Sequence, residues 1–271
     1  MTAASGAVEP PVDEVRLEVA DHVARVTIDR QHVLNAVDDA TLARFNEIWD
    51  QIEGDPGVRV VVLTGAGERS FCAGADMSVS GMGKNGLEYW AELDPNGFAG
   101  LSLRRTLDVP VIARVNGYAL GGGMEIVLGC DLVIASETAT FGLTEPRVGR
   151  LPLDGGIVQL VRRVTHTRAM SVLLTGRRLP ASALQEMGVV NEVVPAVDLD
   201  STVQRWVDDV LACAPTSLRA IKQMVNRTEH LGARDARAVQ LPALIQALDS
   251  GNATEGIRAF QEKRPPLWTD S

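Results

Sequence analysis

The chain is expected to be a mixed α/β protein, and three features predict that class. Apolar β-branched runs recur at 58–64, 109–115 and 132–135, stretches of helical periodicity alternate with them, and glycine-rich turns follow two of the strands. Beyond position 195 the pattern becomes wholly helical. This divides the chain into a tail over 1–13, an α/β core over 14–195 that carries the active site, and a helical region over 196–271. The tail is rich in small, acidic and proline residues and is expected to be flexible.

The elements follow in order. Val15, Leu17 and Val19, then Val23, Val26 and Ile28, nearly alternate around Asp21-His22, which reads as a two-stranded hairpin. Asp38 is placed to cap a helix whose Leu42, Phe45, Trp49 and Ile52 recur at helical spacing, and Gly54-Asp55-Pro56-Gly57 ends it. The continuous apolar runs at 58–64, 109–115 and 132–135 read as strands buried on both faces, with a helix over 125–130 between the last two. Such alternation argues for right-handed β-α-β units. Residues 189–194 close the sheet. Val203, Trp206, Val207 and Val210 then share one helical face, and helices are expected at 216–227, 233–248 and 254–263.

Composition excludes several function classes. The 271 residues are 45% hydrophobic, enough for one sizeable core and a smaller appendage. With 26 basic against 35 acidic side chains the formal net charge is −9, which opposes binding to nucleic acid or an anionic membrane surface. No apolar run reaches the roughly 20 residues of a membrane span, and the N-terminus lacks a basic, apolar signal sequence. Cys72, Cys130 and Cys213 are odd in number and lack metal-ligand spacing. Reduced thiols, a cytoplasmic location and no metal are therefore expected.

Three segments carry chemistry: Phe71-Cys72-Ala73-Gly74-Ala75-Asp76, Gly121-Gly122-Gly123-Met124-Glu125 and Phe141-Gly142-Leu143-Thr144-Glu145-Pro146. Gly74 follows the 58–64 strand and its turn, and Gly121 to Gly123 follow the 109–115 strand and open a helix. Ligands of open α/β sheets bind at such strand ends, and a helix N-terminus favours developing negative charge. One N–H from each turn would form an oxyanion hole. Glu125 and Glu145, facing one cleft, would add an unequal pair of carboxyls, one acid and one base, as the addition of water to a double bond requires. Taken singly, each feature has a plainer reading: a tight turn, a glutamate complementing a helix dipole, or a turn residue.

On these segments, together with Asp29-Arg30-Gln31-His32-Val33-Leu34-Asn35-Ala36, Leu63-Thr64-Gly65, Cys130-Asp131, Leu174-Thr175-Gly176-Arg177-Arg178 and Phe260-Gln261-Glu262-Lys263-Arg264, the chain resembles the enoyl-CoA hydratase/isomerase family over nearly its whole length. The resemblance implies a crotonase (ClpP-like) spiral of ββα units with a C-terminal helical trimerisation region, assembling as a trimer or as a hexamer made of two trimers. It implies a lyase, an enoyl-CoA hydratase that adds water reversibly across the 2,3 double bond of a 2-enoyl-CoA thioester, with fatty-acid oxidation as the default setting. The amides of Ala75 and Gly122 would hold the thioester oxygen. Glu125 would deprotonate the water attacking C3, and protonated Glu145 would deliver a proton to C2. Coenzyme A enters as part of the acyl-CoA substrate, so no separate cofactor is expected. Its contacts fall to His32, Arg69, Lys263 and the backbone of Ala73, Gly74 and Asp76; charged side chains such as His32 and Arg69 are otherwise ordinary solvated surface groups.

Two departures stand out within that resemblance. His32 and Arg69 occupy positions where relatives often carry lysine, and Leu153 replaces a small residue beside the water. With Asp154, the segment Asp94-Pro95-Asn96-Gly97-Phe98-Ala99-Gly100 and the ending at 262–268, this resembles the carnitinyl-CoA dehydratase-like branch. Tyr89, Trp90 and Phe98 fall on the stretch that lines the acyl end, though aromatic residues there also serve packing. Other classes fit less well. There is no G-x-G-x-x-G with a following acid and no G-x-S-x-G elbow, Cys72 lacks a nearby base, and His22, His32, His166 and His230 lack a serine partner. An isomerase, or a catalytically idle acyl-CoA-binding scaffold of the same fold, stays open as an alternative.

Overall fold

A computed structural model describes residues 14–78, 86–92 and 94–270; the tail over 1–13 lies outside them. Its strands are β1 (Val15–Ala20), β2 (Val23–Ile28), β3 (Val60–Gly65), β4 (Ser70–Cys72), β5 (Val111–Val115), β6 (Tyr118–Leu120), β7 (Leu132–Ser136), β8 (Thr140–Gly142), β9 (Leu179–Pro180) and β10 (Glu192–Val194). The helices are α1 (Asp39–Gly54), α2 (Gly86–Ala91), α3 (Gly122–Gly129), α4 (Gly156–Arg163), α5 (His166–Leu173), α6 (Ala181–Met187), α7 (Leu199–Leu211), α8 (Pro215–Thr228), α9 (Ala233–Ala238), α10 (Pro242–Asp249) and α11 (Asn252–Glu262).

Two sheets organise the α/β part. The first has the order β1-β2-β3-β5-β7-β10, antiparallel only at the β1–β2 hairpin. In the second, β4-β6-β8-β9, all pairs are parallel except β8–β9. Each long strand β3, β5 and β7 is followed within a few residues by a short strand, β4, β6 and β8, so the ββ step repeats three times along the sheets. The long strands read as continuous apolar runs because both faces are covered. Val61 and Leu63 face the main core with Phe45, Ile48, Trp49 and Phe71, whereas Val60 and Val62 join Ile112 and Ile134 beneath Val203 and Val207 of α7.

The differences from the sequence expectations have physical causes. The glycine turns follow the short strands β4 and β6 rather than the long ones directly, and three residues are too few for periodicity to register. The helix expected over 233–248 is two helices, because Pro242 has no N–H and holds Leu241 extended at φ −110°, ψ 143°. The last strand is confined to Glu192–Val194. Helix α8 lies on the core of its own chain: Lys222 donates to the carbonyl of Val109 and pairs with Asp131, both at 2.7 Å, and Arg219 donates to the carbonyl of Val58 at 2.8 Å.

Candidate active site

The Gly74 turn is held by the segment that precedes α1. The N–H of Ala73 donates to the carbonyl of Leu34 at 3.1 Å, that of Val37 to Gly74 at 2.9 Å, and that of Asp76 to Val37 at 2.8 Å. Asn35 supports the strand before the turn, donating through Nδ2 to the carbonyls of Ser70 at 2.7 Å and Ala66 at 3.1 Å. Below it the guanidinium of Arg30, 7% exposed, pairs with Glu14, Asp38 at 2.7 Å and Asp76 at 3.2 Å. Hydrogen bonds from Ser78 and the Arg30 charge hold the Asp76 carboxyl below its ordinary range. Removing the cation leaves the buried Asp76 carboxylate, and the half-buried Asp38 beside it, without their counter-charge. Arg30→Ala is therefore expected to lower unfolding free energy by about 3–5 kcal/mol, read by urea denaturation.

This brace brings the Gly74 and Gly121 turns together. Gly74 has φ +95°, and a Cβ on it would lie 3.2 Å from the nitrogen of Gly122. Gly121, at φ +56° and ψ −128°, adopts a conformation that only glycine reaches without strain. Its missing side chain leaves room for Glu145, whose Oε1 would be 3.2 Å from a Cβ there. A side chain on Gly122 would run into the ring of Phe98, and one on Gly123 into the carbonyl of Cys72. Among the described residues neither the Ala75 N–H nor the Gly122 N–H has a hydrogen-bond acceptor. The Gly122 amide is the first of α3, at the positive end of its dipole.

The two glutamates arrive from different elements. Glu125, in the first turn of α3, is 2% exposed, and its Oε1 accepts from the N–H of Gly156 at 2.8 Å. Burial pushes its carboxyl up to about 8, with the charges of Asp154 and Glu145 adding to the rise and the Gly156 N–H opposing it. Glu145 opens a one-turn 3-10 helix, Glu145–Val148, and its buried Oε2 has no partner among the described residues. Burial raises its carboxyl too, helped by Asp154. The two carboxyls feel one another through low-dielectric surroundings, so near neutrality the pair holds protons that ordinary glutamates would have lost.

The remaining expected residues are placed as follows. The amides of Ala73 and Asp76 are taken by backbone carbonyls, and the Asp76 side chain by Arg30 and Ser78, which leaves their own carbonyl oxygens for a ligand. His32 lies exposed in the 3-10 turn Gln31–Val33, and Arg69 is exposed just before β4. Lys263 ends α11 in the left-handed conformation, and no hydrogen bond among the described residues ties it to the Gly74 or Gly121 turn. Cys72 is fully buried, and burial pushes its thiol up to about 12, which removes it as a nucleophile. Among the described residues no group of three or more His, Cys, Asp or Glu could hold a metal ion, and no helix is long and apolar enough to cross a membrane.

Sequence reasoning missed the N–H of Gly156 as the donor to Glu125; the Gly155-Gly156 pair after Asp154 was the available signal. It also missed Arg30 and Asn35, whose roles depend on contacts that include the Asp76 carboxylate and the Ser70 carbonyl, 46 and 35 positions away.

Comparison with known proteins meets this geometry. The model of the family described as "Enoyl-CoA hydratase/isomerase" matches residues 18–271. A protein named "Carnitinyl-CoA dehydratase" from Proteus mirabilis (strain HI4320) is 34% identical over 258 residues, spanning 94% of this chain and 97% of that protein. One of the same name from Shigella flexneri is 35% identical over 250 residues, 91% of this chain and 94% of that protein. The crystal structure of an enoyl-CoA hydratase from Bacillus anthracis superposes with a TM-score of 0.85 at 32% identity, covering 95% of this chain and all of that one. An enoyl-CoA hydratase from Mycobacterium tuberculosis H37Rv gives 0.86 at 32% identity, covering 95% and 99%. With its paired sheets, converging glycine turns and a buried and a half-buried glutamate, this chain has the crotonase fold and is an enzyme of the enoyl-CoA hydratase/isomerase family.

Proposed function

We propose that the protein is a hydro-lyase that interconverts a 2-enoyl-CoA and the corresponding 3-hydroxyacyl-CoA. The observation that carries this reading is the conjunction of two amides without acceptors among the described residues, on glycine turns that approach each other, with a buried and a half-buried glutamate beside them. The thioester oxygen sits between the N–H groups of Ala75 and Gly122, which stabilise the enolate formed when C3 gains or loses oxygen. One glutamate handles the proton of water at C3 and the other the proton at C2. Hydration uses ionised Glu125 and protonated Glu145. Dehydration uses the opposite arrangement of the same single proton, with Glu125 protonating the departing hydroxide while Glu145 removes the C2 proton.

Because both directions draw on the singly protonated pair, they share one pH dependence. The ratio of the two kcat/KM values is an equilibrium constant in which no proton appears. With Glu125 titrating at about 8, kcat/KM is expected to fall above about pH 8 as the pair loses its last proton, and to fall equally for hydration and dehydration. Loss of the enone absorbance of crotonyl-CoA, and its gain from 3-hydroxybutyryl-CoA, measures this. A profile flat through pH 9.5 contradicts it.

A second, narrower reading is dehydration of a carnitinyl-CoA-like ester, favoured by the names of the relatives and by the buried acid Asp154 beside the site. A panel of 2-enoyl-CoA esters of rising chain length, with crotonobetainyl-CoA among them, separates the two by relative kcat/KM. Binding of every ester with turnover of none favours an acyl-CoA-binding scaffold instead. His32, Arg69 and Lys263 remain the proposed contacts of the coenzyme A phosphates, Lys263 from a neighbouring subunit. Self-association as a trimer or hexamer belongs to the same proposal, supported by exposed apolar side chains on the C-terminal helices, among them Val225, Leu248, Ile257 and Phe260.

A further inference from the structure

Hydration as described uses two carboxylates, yet a third, Asp154, is buried in the same wall at 7% exposure. Its Oδ2 accepts a hydrogen bond from the hydroxyl of Tyr89 on α2. Its backbone carbonyl accepts from the hydroxyl of Ser102, whose oxygen accepts in turn from the N–H of Phe98 at 2.7 Å. Two positions further on, the Gly156 N–H holds Glu125. One short loop thus carries both a third acid and the anchor of Glu125, and it is tied to the residue whose ring packs over Gly122.

Nothing in this packing calls for a negative charge. The loop backbone is already held through Ser102, and the carbonyl oxygen of an asparagine at 154 would also accept from Tyr89, through a weaker, uncharged hydrogen bond. A carboxylate withdrawn from water raises the cost of folding, so the charge itself is the feature left to explain. Glu125 is faced by the charge of Asp154 from the loop, by Glu145 from the 3-10 turn, and by the N–H groups of Gly156 and Asp154. Asp154 is faced by Tyr89 and Asp94, and Tyr89 in turn by Glu125 and Arg150.

We propose that Asp154, fixed by the Tyr89 hydroxyl, is a positioning residue whose charge keeps the catalytic proton on the Glu125–Glu145 pair. The inference rests on the acid–base reading of that pair. Tyr89 acts through Asp154: without its hydrogen bond the Asp154 carboxyl is free to take up a proton or turn away, and the pair loses the neighbouring charge.

The test is the pH dependence of kcat/KM, with the best ester of the panel, for wild type, Asp154→Asn, Tyr89→Phe and the double variant, each with a thermal melt. In Asp154→Asn the alkaline limb is expected to move to lower pH by about one unit, with Tm maintained or raised. Tyr89→Phe moves it the same way, and the double variant matches Asp154→Asn because the two groups act as one unit. An unmoved limb in Asp154→Asn, or a loss confined to Tm, overturns the proposal. Carboxyl-carbon NMR titration of Glu125 in wild type and Asp154→Asn reads the same shift without turnover. An enzyme inactive on every ester therefore sinks the hydro-lyase reading while this inference is still decided by the titration.

Discussion

Glu125→Gln is expected to lower kcat by about 10²–10⁴-fold, the usual contribution of a general acid–base group, while leaving acyl-CoA affinity within a few-fold of wild type. Glutamine keeps the volume and an oxygen to accept from Gly156, so the loss reports the proton and not the packing. Glu145→Gln is expected to fall by a similar factor, because among the described residues its buried Oε2 has no partner and is left for a ligand. A stability measurement separates chemistry from folding. The folded carboxyl of Glu125, raised by burial to about 8 from an unfolded value of 4.5, contributes stability that is present below 4.5 and lost as the pH rises through 8. Glu125→Gln should therefore flatten the decline of Tm between these limits and make the protein more stable than wild type at pH 8. A variant that is slow because it is unfolded shows the reverse.

Gly123→Ala is the second large effect expected. An added Cβ falls far inside van der Waals contact with the carbonyl of Cys72, and backbone there cannot swing aside as a side chain tip can. Cys72 ends β4, two residues before Gly74, so the methyl group forces the Gly74 and Gly121 turns apart. Separation of the two amides is expected to cost about 10²–10³-fold in kcat, the range seen when one oxyanion donor is lost. Circular dichroism and a urea titration of the same preparation report how much of the fold survives. A Gly123→Ala enzyme with wild-type kcat means that the two amides do not act together. The adjacent Gly122→Ala meets the ring tip of Phe98 instead, a side chain rather than backbone, and is expected to be milder.

Much of the architecture was legible because local physics is written along the chain. The apolar runs of β3, β5 and β7 announce strands covered on both faces, and α7 does supply the second cover. Asp38 caps α1 as its sequence suggests, accepting from the N–H of Thr41 at 2.8 Å. The short strands β4, β6 and β8 gave no such signal, since each is three residues long and is fixed by pairing with its neighbours rather than by its own pattern. The split between α9 and α10 was available in Pro242 and was overridden by the apolar spacing around it.

The sequence by itself determined the kit: glycines where a side chain would block the approach of two turns, and two glutamates after them. These are properties of single residues and need no partner to be recognised. Only the tertiary structure decided how charge is shared among them. The Tyr89–Asp154 hydrogen bond spans 65 positions and the Gly156–Glu125 bond 31. A carboxyl's hold on its proton depends on the water and charges around it, and those surroundings come into being only when distant segments pack against one another.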